Sequence, residues 1–208
     1  MSELNFVHQF IPAPPGAKSA RALLLLHGTG GDENDLLDLG RAIDPNAALL
    51  SPRGKVLENG APRFFRRLAE GVFDEEDVKA RARELAAFID LAASRYQIDA
   101  SNLVAVGYSN GANIAAAMLL LGLAPFTKAI LLRAMVPLSN VEPVDLKGRR
   151  ALISAGQFDP IAQPRIAQNL AELLRASGAE VDFVLQASGH ELTPNDVGTA
   201  RQWLASYR

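Results

Sequence analysis

The chain reads as an α/β protein with a mostly parallel central sheet and helices on both faces. Three observations predict this. Short apolar runs alternate with amphipathic stretches of helical period, the pattern of strands joined by crossover helices. Two of those runs, Leu23-Leu24-Leu25-Leu26 and Leu103-Val104-Ala105-Val106, have no polar side, as expected of strands buried on both faces. Between the second run and the small-residue stretch that follows lies Gly107-Tyr108-Ser109-Asn110-Gly111, a tight strand-to-helix turn.

In chain order, residues 4–11 read as a leading edge strand, ended by Pro12-Ala13-Pro14-Pro15-Gly16. Residues 21–26 form a buried strand that runs into His27-Gly28-Thr29-Gly30-Gly31-Asp32. A helix with Leu36, Leu37 and Leu39 on its apolar side follows. Ala47-Ala48-Leu49-Leu50 is a strand, turned by Ser51-Pro52-Arg53-Gly54, and a long loop spans Lys55 to Phe73. The helix from Asp74 to Tyr96 is marked by Val78, Ala82, Leu85, Ile89, Ala92 and Tyr96 at helical spacing. Asp74, Glu75, Glu76 and Asp77 complement its N-terminal dipole. After the strand at 103–106, Ile114 to Leu123 reads as a buried helix, too short to span a bilayer. Lys128 to Leu132 is a further buried strand, expected to run on through Arg133-Ala134-Met135-Val136-Pro137. Ala151 to Ser154 and Val181 to Leu185 are the last strands, the latter with Val181, Phe183 and Leu185 on one face. Helices Pro164–Ala176 and Pro194–Tyr207 each carry proline near the first turn. No repeat or linker divides residues 1–208, so a single domain is expected.

The turn at 107–111 directs the functional reading. A serine on a sharp strand-to-helix turn projects its hydroxyl above the sheet, and flanking glycines keep neighbouring backbone clear of it. The bland alternative is a glycine-rich turn with an incidental serine. A nucleophilic serine needs an acid and then a histidine downstream, each on a loop past a later strand. His190 is the only histidine after Ser109, and it follows the strand at 181–185 through Gln186-Ala187-Ser188-Gly189. Asp159, in Gly156-Gln157-Phe158-Asp159-Pro160 after the strand at 151–154, is the acid candidate. Asp182 lies within a strand and Asp145 in a connecting segment, so both are poorer candidates. Alone, His190 would read as a solvated loop residue and Asp159-Pro160 as turn chemistry. Three required residue types in order, each just past a strand, favour Ser109 as nucleophile, His190 as general base and acid, and Asp159 as the group orienting the imidazole.

The glycine-rich turn at 27–32 is the candidate second half of an oxyanion hole. The expected donors are the backbone N–H groups of Thr29 and Asn110. A phosphate loop is excluded, since no lysine follows the glycines at the required spacing and Gly-x-Gly-x-x-Gly does not match. His27 reads as structural, orienting the turn. The loop at 55–73 is basic and aromatic at its middle, Arg63-Phe64-Phe65-Arg66-Arg67. Phe64 and Phe65 would wall a substrate pocket while Arg66 attracts an anionic group; the alternative is that the rings dock the loop and the arginines pair with Glu70, Asp74 or Glu75. Met135 and Val136, past a strand beyond the nucleophile, are candidate pocket lining, with core packing as the alternative.

With 208 residues and 49% hydrophobic content, the chain can bury a substantial core. A net charge of −2 argues against a nucleic-acid partner held by a broad basic face. With no cysteine there is no disulfide framework, thiolate nucleophile or cysteine metal site. No His-Glu-x-x-His spacing supports a metal, as His190-Glu191 continues Leu192-Thr193-Pro194. The N-terminus lacks a basic segment followed by an apolar stretch of signal length, so a soluble, cytoplasmic chain without integral membrane association is expected. Exposed edge strands leave a homodimer open.

Taken together, residues 27–37 (HGTGGDENDLL), 51–77, 107–112 (GYSNGA), 134–138 (AMVPL), 156–160 (GQFDP) and 188–192 (SGHEL) resemble the small bacterial carboxylesterase/phospholipase branch of the α/β-hydrolases, which is related to acyl-protein thioesterases. The resemblance implies the α/β-hydrolase fold without a large cap, a Ser109–Asp159–His190 triad, and ester hydrolysis without a cofactor. The thioesterase relatives usually carry an apolar residue where this chain has Thr29, and the basic-aromatic loop also differs. The expectation is a serine esterase acting on a small-molecule carboxylic ester. A thioesterase or lysophospholipase is the catalytic rival, and a small-molecule-binding protein on a hydrolase scaffold the non-enzymatic one.

Overall fold

The computed structural model describes residues 4–17 and 21–207; residues 1–3 of the N-terminal segment read above lie outside them. A central sheet contains β1 (His8–Ile11), β2 (Ala22–Leu26), β3 (Ala48–Pro52), β8 (Leu103–Tyr108), β9 (Lys128–Leu132), β10 (Arg150–Gly156) and β11 (Glu180–Gln186). Between β3 and β8 the chain forms two small hairpins, β4 (Val56–Glu58) with β5 (Ala61–Arg63) and β6 (Arg67–Ala69) with β7 (Val72–Phe73). The helices are α1 (Leu37–Ile43), α2 (Glu75–Tyr96), α3 (Asn110–Leu120), α4 (Pro164–Ala176) and α5 (Pro194–Ala205). In the sheet the order is β1-β3-β2-β8-β9-β10-β11, with only β1 antiparallel to its neighbour.

Because strand side chains alternate, each apolar strand feeds two cores. Leu24 and Leu26 of β2 and Leu103 and Ala105 of β8 face α2, α3 and α4. Leu23, Leu25, Val104 and Val106 face the other way, onto Ile43 of α1 and Ala200, Trp203 and Leu204 of α5. This two-sided burial is why those runs lack a polar face. Asp74 caps α2 by accepting a hydrogen bond from the Asp77 amide, and a Thr193–Asp196 capping box starts α5. Among the described residues, no helix is long and apolar enough to cross a membrane.

Three local expectations are corrected. The strand at 128–132 does not run on to Pro137. It stops at Leu132, where Arg133 turns the chain with φ +56°. The stretch at 55–73 is not an irregular loop, and its first hairpin turns on Asn59 and Gly60, both at positive φ. That Asn-Gly pair is a strong two-residue hairpin signal. Leu185 does not join Val181 and Phe183 on the core. β11 is an edge strand, and Leu185 at its C-terminal end is about half exposed, while Val181 and Phe183 pack against the α2–α4 side.

Candidate active site

The parallel strands all end on one side of the sheet, and the turns after β2, β8, β10 and β11 gather there. At the end of β8, Ser109 adopts φ +51°, ψ −113°, a conformation costing a non-glycine residue about 1–3 kcal/mol. The turn is held by the Ser109 amide donating to the Leu132 carbonyl at 2.9 Å and the Asn113 amide donating back to the Ser109 carbonyl. Gly111 is required by close approach: a β-carbon there would stand 1.9 Å from the Leu26 carbonyl oxygen. α3 can therefore start directly against β2, which keeps the serine above the strand end.

His190 Nε2 lies 2.9 Å from Ser109 Oγ, and its Nδ1 lies 2.7 Å from Asp159 Oδ2. The other Asp159 oxygen accepts from the amides of Ile161 and Ala162 at 2.8 and 2.9 Å, and the carboxylate is buried. An ionised carboxylate only accepts hydrogen bonds, so Nδ1 carries the proton and Nε2 presents its lone pair to the serine hydroxyl. The two loops interlock, with Gln157 N donating to Gln186 O and Phe158 N to Ser188 O. Tyr108 OH donates to the His190 carbonyl at 3.1 Å. Chemically, this arrangement can move a hydroxyl proton onto a fixed imidazole.

The turn after β2 lies beside the serine turn. The Gly30 amide donates to Pro62 O, Thr29 Oγ1 accepts from Arg63 Nη1 at 2.8 Å, and Asn110 Oδ1 accepts from the Phe64 amide at 2.7 Å. The first hairpin thus ties both expected oxyanion segments together. Asn110 opens α3, so its backbone N–H belongs to the first turn, which has no intrahelical acceptor. His27 is structural in its contacts. Gly54 N donates to its Nε2 at 2.9 Å while Nδ1 bonds the Gly28 carbonyl, a pairing that only the neutral Nδ1–H ring satisfies. Burial pushes its pKa below the usual histidine value, against the raising effects of the Gly28 carbonyl and of Asp35, Asp32 and Glu33.

The predicted substrate-contacting residues fall into two groups. Phe64 and Phe65 take the docking alternative. Phe64 packs on the His27 ring with centroids 4.7 Å apart, Phe65 meets Phe73 edge-on at 5.2 Å, and both are buried. Arg66 takes the pairing alternative, with Nη2 2.6 Å from Asp74 Oδ2. Burial of the rings is the physical reason: two adjacent phenylalanines gain more from the core than from a solvated mouth. Met135 and Val136 follow the C-terminal end of β9, whose Leu132 carbonyl accepts from the Ser109 amide. The Met135 amide is held by Asn113 Oδ1, and Val136 lines a cavity of about 570 Å³ with Ile166, Asn169 and Leu173.

Sequence reasoning missed Arg133 and Asp196. Both side chains are fully buried and paired at 2.8 Å, and Arg133 also bonds Ser188 Oγ and the carbonyls of Gly189 and Glu191. A lone arginine within Leu131-Leu132-Arg133-Ala134-Met135 was the signal available.

A family model described as Phospholipase/Carboxylesterase matches residues 8–207. The chain belongs to this family. It is 51% identical over 185 residues to the putative hydrolase MhqD of Bacillus subtilis, covering 89% of this chain and 92% of that protein. The Bacillus cereus carboxylesterase superposes with a TM-score of 0.92 at 44% identity, over 97% of this chain and 94% of that one. A carboxylesterase from Mesorhizobium loti gives a TM-score of 0.92 at 37% identity, over 99% and 97%. As a phospholipase/carboxylesterase family member with these esterase neighbours, the protein is a carboxylic ester hydrolase with an α/β-hydrolase fold.

Proposed function

We propose that the protein hydrolyses small carboxylic esters through a Ser109–His190–Asp159 triad and an acyl-enzyme intermediate. One observation carries the reading: the unbroken run of hydrogen bonds from Asp159 through the His190 ring to the Ser109 hydroxyl, on a strained turn. His190 Nε2 takes the hydroxyl proton as Oγ attacks the acyl carbon, and Asp159 stabilises the imidazolium as it forms. Negative charge develops on the carbonyl oxygen, for which the amides of Thr29 and Asn110 are the proposed donors, each worth about 3 kcal/mol of barrier. Collapse of the tetrahedral species expels the alcohol, which takes the proton from His190. Water activated by the same imidazole then attacks acyl-Ser109 and releases the acid. Met135 and Val136 are the proposed acyl-side lining, since Leu132, which holds the Ser109 amide, lies just before them.

The test is pre-steady-state kinetics with p-nitrophenyl esters of increasing acyl length, on the wild type and Ser109→Ala. A burst of p-nitrophenol in the wild type, absent in the variant, is the expected result. Equal background rates in both proteins on every ester would overturn the reading and favour a small-molecule-binding protein on the same scaffold.

A further inference from the structure

Arg133 has no role in the chemistry above, yet its side chain is wholly buried and its backbone is strained, with φ +56°. The turn it makes keeps its amide on β10, donating to Ser154 O at 2.9 Å, while the side chain enters the loop that carries His190. There Nε donates to Gly189 O at 3.0 Å and Nη2 to Glu191 O at 2.8 Å, so one guanidinium grips the carbonyls on both sides of His190. The carbonyl of His190 itself is held by Tyr108 OH. Nη2 also reaches Ser188 Oγ at 2.9 Å, and Nη1 reaches Ser154 O at 3.2 Å.

Asp196 fixes the guanidinium from the other side, with Oδ1 and Oδ2 at 2.8 and 2.9 Å from Nη1 and Nη2. That carboxylate is in turn held by Ser154 Oγ and by the Thr193 amide and hydroxyl in the cap of α5. Every guanidinium N–H therefore has an acceptor. Three of the accepting groups belong to residues 188, 189 and 191. A lysine, with three donors and no fork, cannot reproduce this set. In the loop that carries His190, Ala187, Ser188 and Gly189 have small side chains, so the position of the backbone rests largely on main-chain hydrogen bonds and on the Arg133 contacts.

We propose that Arg133 is a positioning residue that sets the backbone on both sides of His190 and thereby the Ser109–His190 distance. The proposal rests on the triad reading. A buried ion pair that only stabilised the fold would lower the melting temperature and leave kcat of the folded protein unchanged. A clamp on the general base lowers kcat at constant KM, because misplacing a catalytic group by about 1 Å costs on the order of 100-fold.

The experiment compares wild type, Arg133→Lys, Ser188→Ala and His190→Ala. It uses kcat and KM on p-nitrophenyl acetate below the melting temperature, circular dichroism, and the low-field proton resonance of His190 Nδ1–H bonded to Asp159. Arg133→Lys is expected to stay folded, lose about 10- to 100-fold in kcat with KM changed less than about twofold, and shift or broaden that resonance. Ser188→Ala keeps the buried pair and is expected to lose about threefold in kcat alone. A folded Arg133→Lys with wild-type kcat and an unaltered resonance would overturn the proposal. If Arg133→Lys does not fold, Ser188→Ala decides, and unchanged kcat there overturns it. Wild-type activity in His190→Ala would sink the triad reading and this proposal with it. An inert His190→Ala beside a wild-type-like Arg133→Lys sinks the proposal alone.

Discussion

Gly156→Ala adds one methyl group where β10 turns toward Asp159, and the structure sets what that methyl meets. A β-carbon at this position would stand 2.0 Å from the Gly189 carbonyl oxygen and 2.9 Å from that of Ser188. Ordinary van der Waals contact begins at 3.4 Å, so the backbone just before His190 must retreat by about 1.4 Å. No flexible side chain is available to absorb the overlap, since both contacts are main chain. The displaced Gly189 carbonyl is the one that accepts from Arg133 Nε, so a buried charged hydrogen bond lengthens or breaks as well. Overpacking costs about 1–3 kcal/mol and a lost charged bond about 1.5–3 kcal/mol, so a destabilisation of roughly 3 kcal/mol is expected. For a domain of this size that lowers the melting temperature by roughly 6–12 °C. In the protein that remains folded, His190 moves off Ser109 and kcat on p-nitrophenyl acetate falls on the order of 100-fold. Thermal melts and steady-state kinetics at 25 °C (about 298 K) measure both quantities. A melting temperature within about 2 °C of wild type together with kcat within about threefold would refute the packing of the two loops described above.

Other outcomes follow from the same contacts. Ser109→Ala is expected to lower kcat on p-nitrophenyl esters by several orders of magnitude while leaving the melting temperature the same or higher, because the strained φ is held by a backbone bond that the variant keeps. Phe65→Ala should cost about 3–5 kcal/mol by denaturant melts yet leave the acyl-length profile unchanged, whereas a changed profile would return Phe65 to the pocket wall. Arg66→Ala should leave kcat/KM within about twofold on neutral and anionic esters alike, because its charge is committed to Asp74 at the surface. For pH, the folded His27 titrates below its unfolded value of 6.5, so its contribution to stability is complete above that pH and declines as pH falls through the folded value. The melting temperature of His27→Asn should therefore fall less steeply than that of wild type on acidification below pH 6.5. Burial alone would raise Asp196, but hydrogen bonds from Arg133, Ser154 and Thr193 outweigh it and hold its pKa below 3.8. Its stabilising effect is thus present above pH 3.8 and lost on further acidification, so an acid melt of Asp196→Asn should be flatter there than that of wild type.

The strand-and-helix order, the buried character of β2 and β8 and the place of α2 were all legible in the sequence. These are local, periodic properties: a strand covered on both faces has no polar side to show, and an amphipathic helix repeats its pattern over several turns. The candidate trio was legible for a related reason. The candidate residues each stand just past the C-terminal end of a parallel strand, β8, β10 and β11, so chain order and a strand-end position are enough to nominate Ser109, Asp159 and His190. The Asn59-Gly60 hairpin was also written in the sequence, and it was overlooked because a basic-aromatic stretch read as a loop.

What only the tertiary structure decided involves partners far apart in the chain. Whether Phe64 and Phe65 face a pocket or the core depends on what stands opposite, and His27 and Phe73 stand there. Arg133 looked like an interruption in an apolar run because its side-chain acceptors lie 21 to 63 residues away, on a later strand, a loop and a helix cap that the run does not announce. By itself, then, the sequence determined which segments become strands and helices and which residues stand at strand ends, since those follow from neighbouring residues. The fold decided which buried charge meets which carbonyl, because a hydrogen bond is specified by position in space and periodicity carries no information about it.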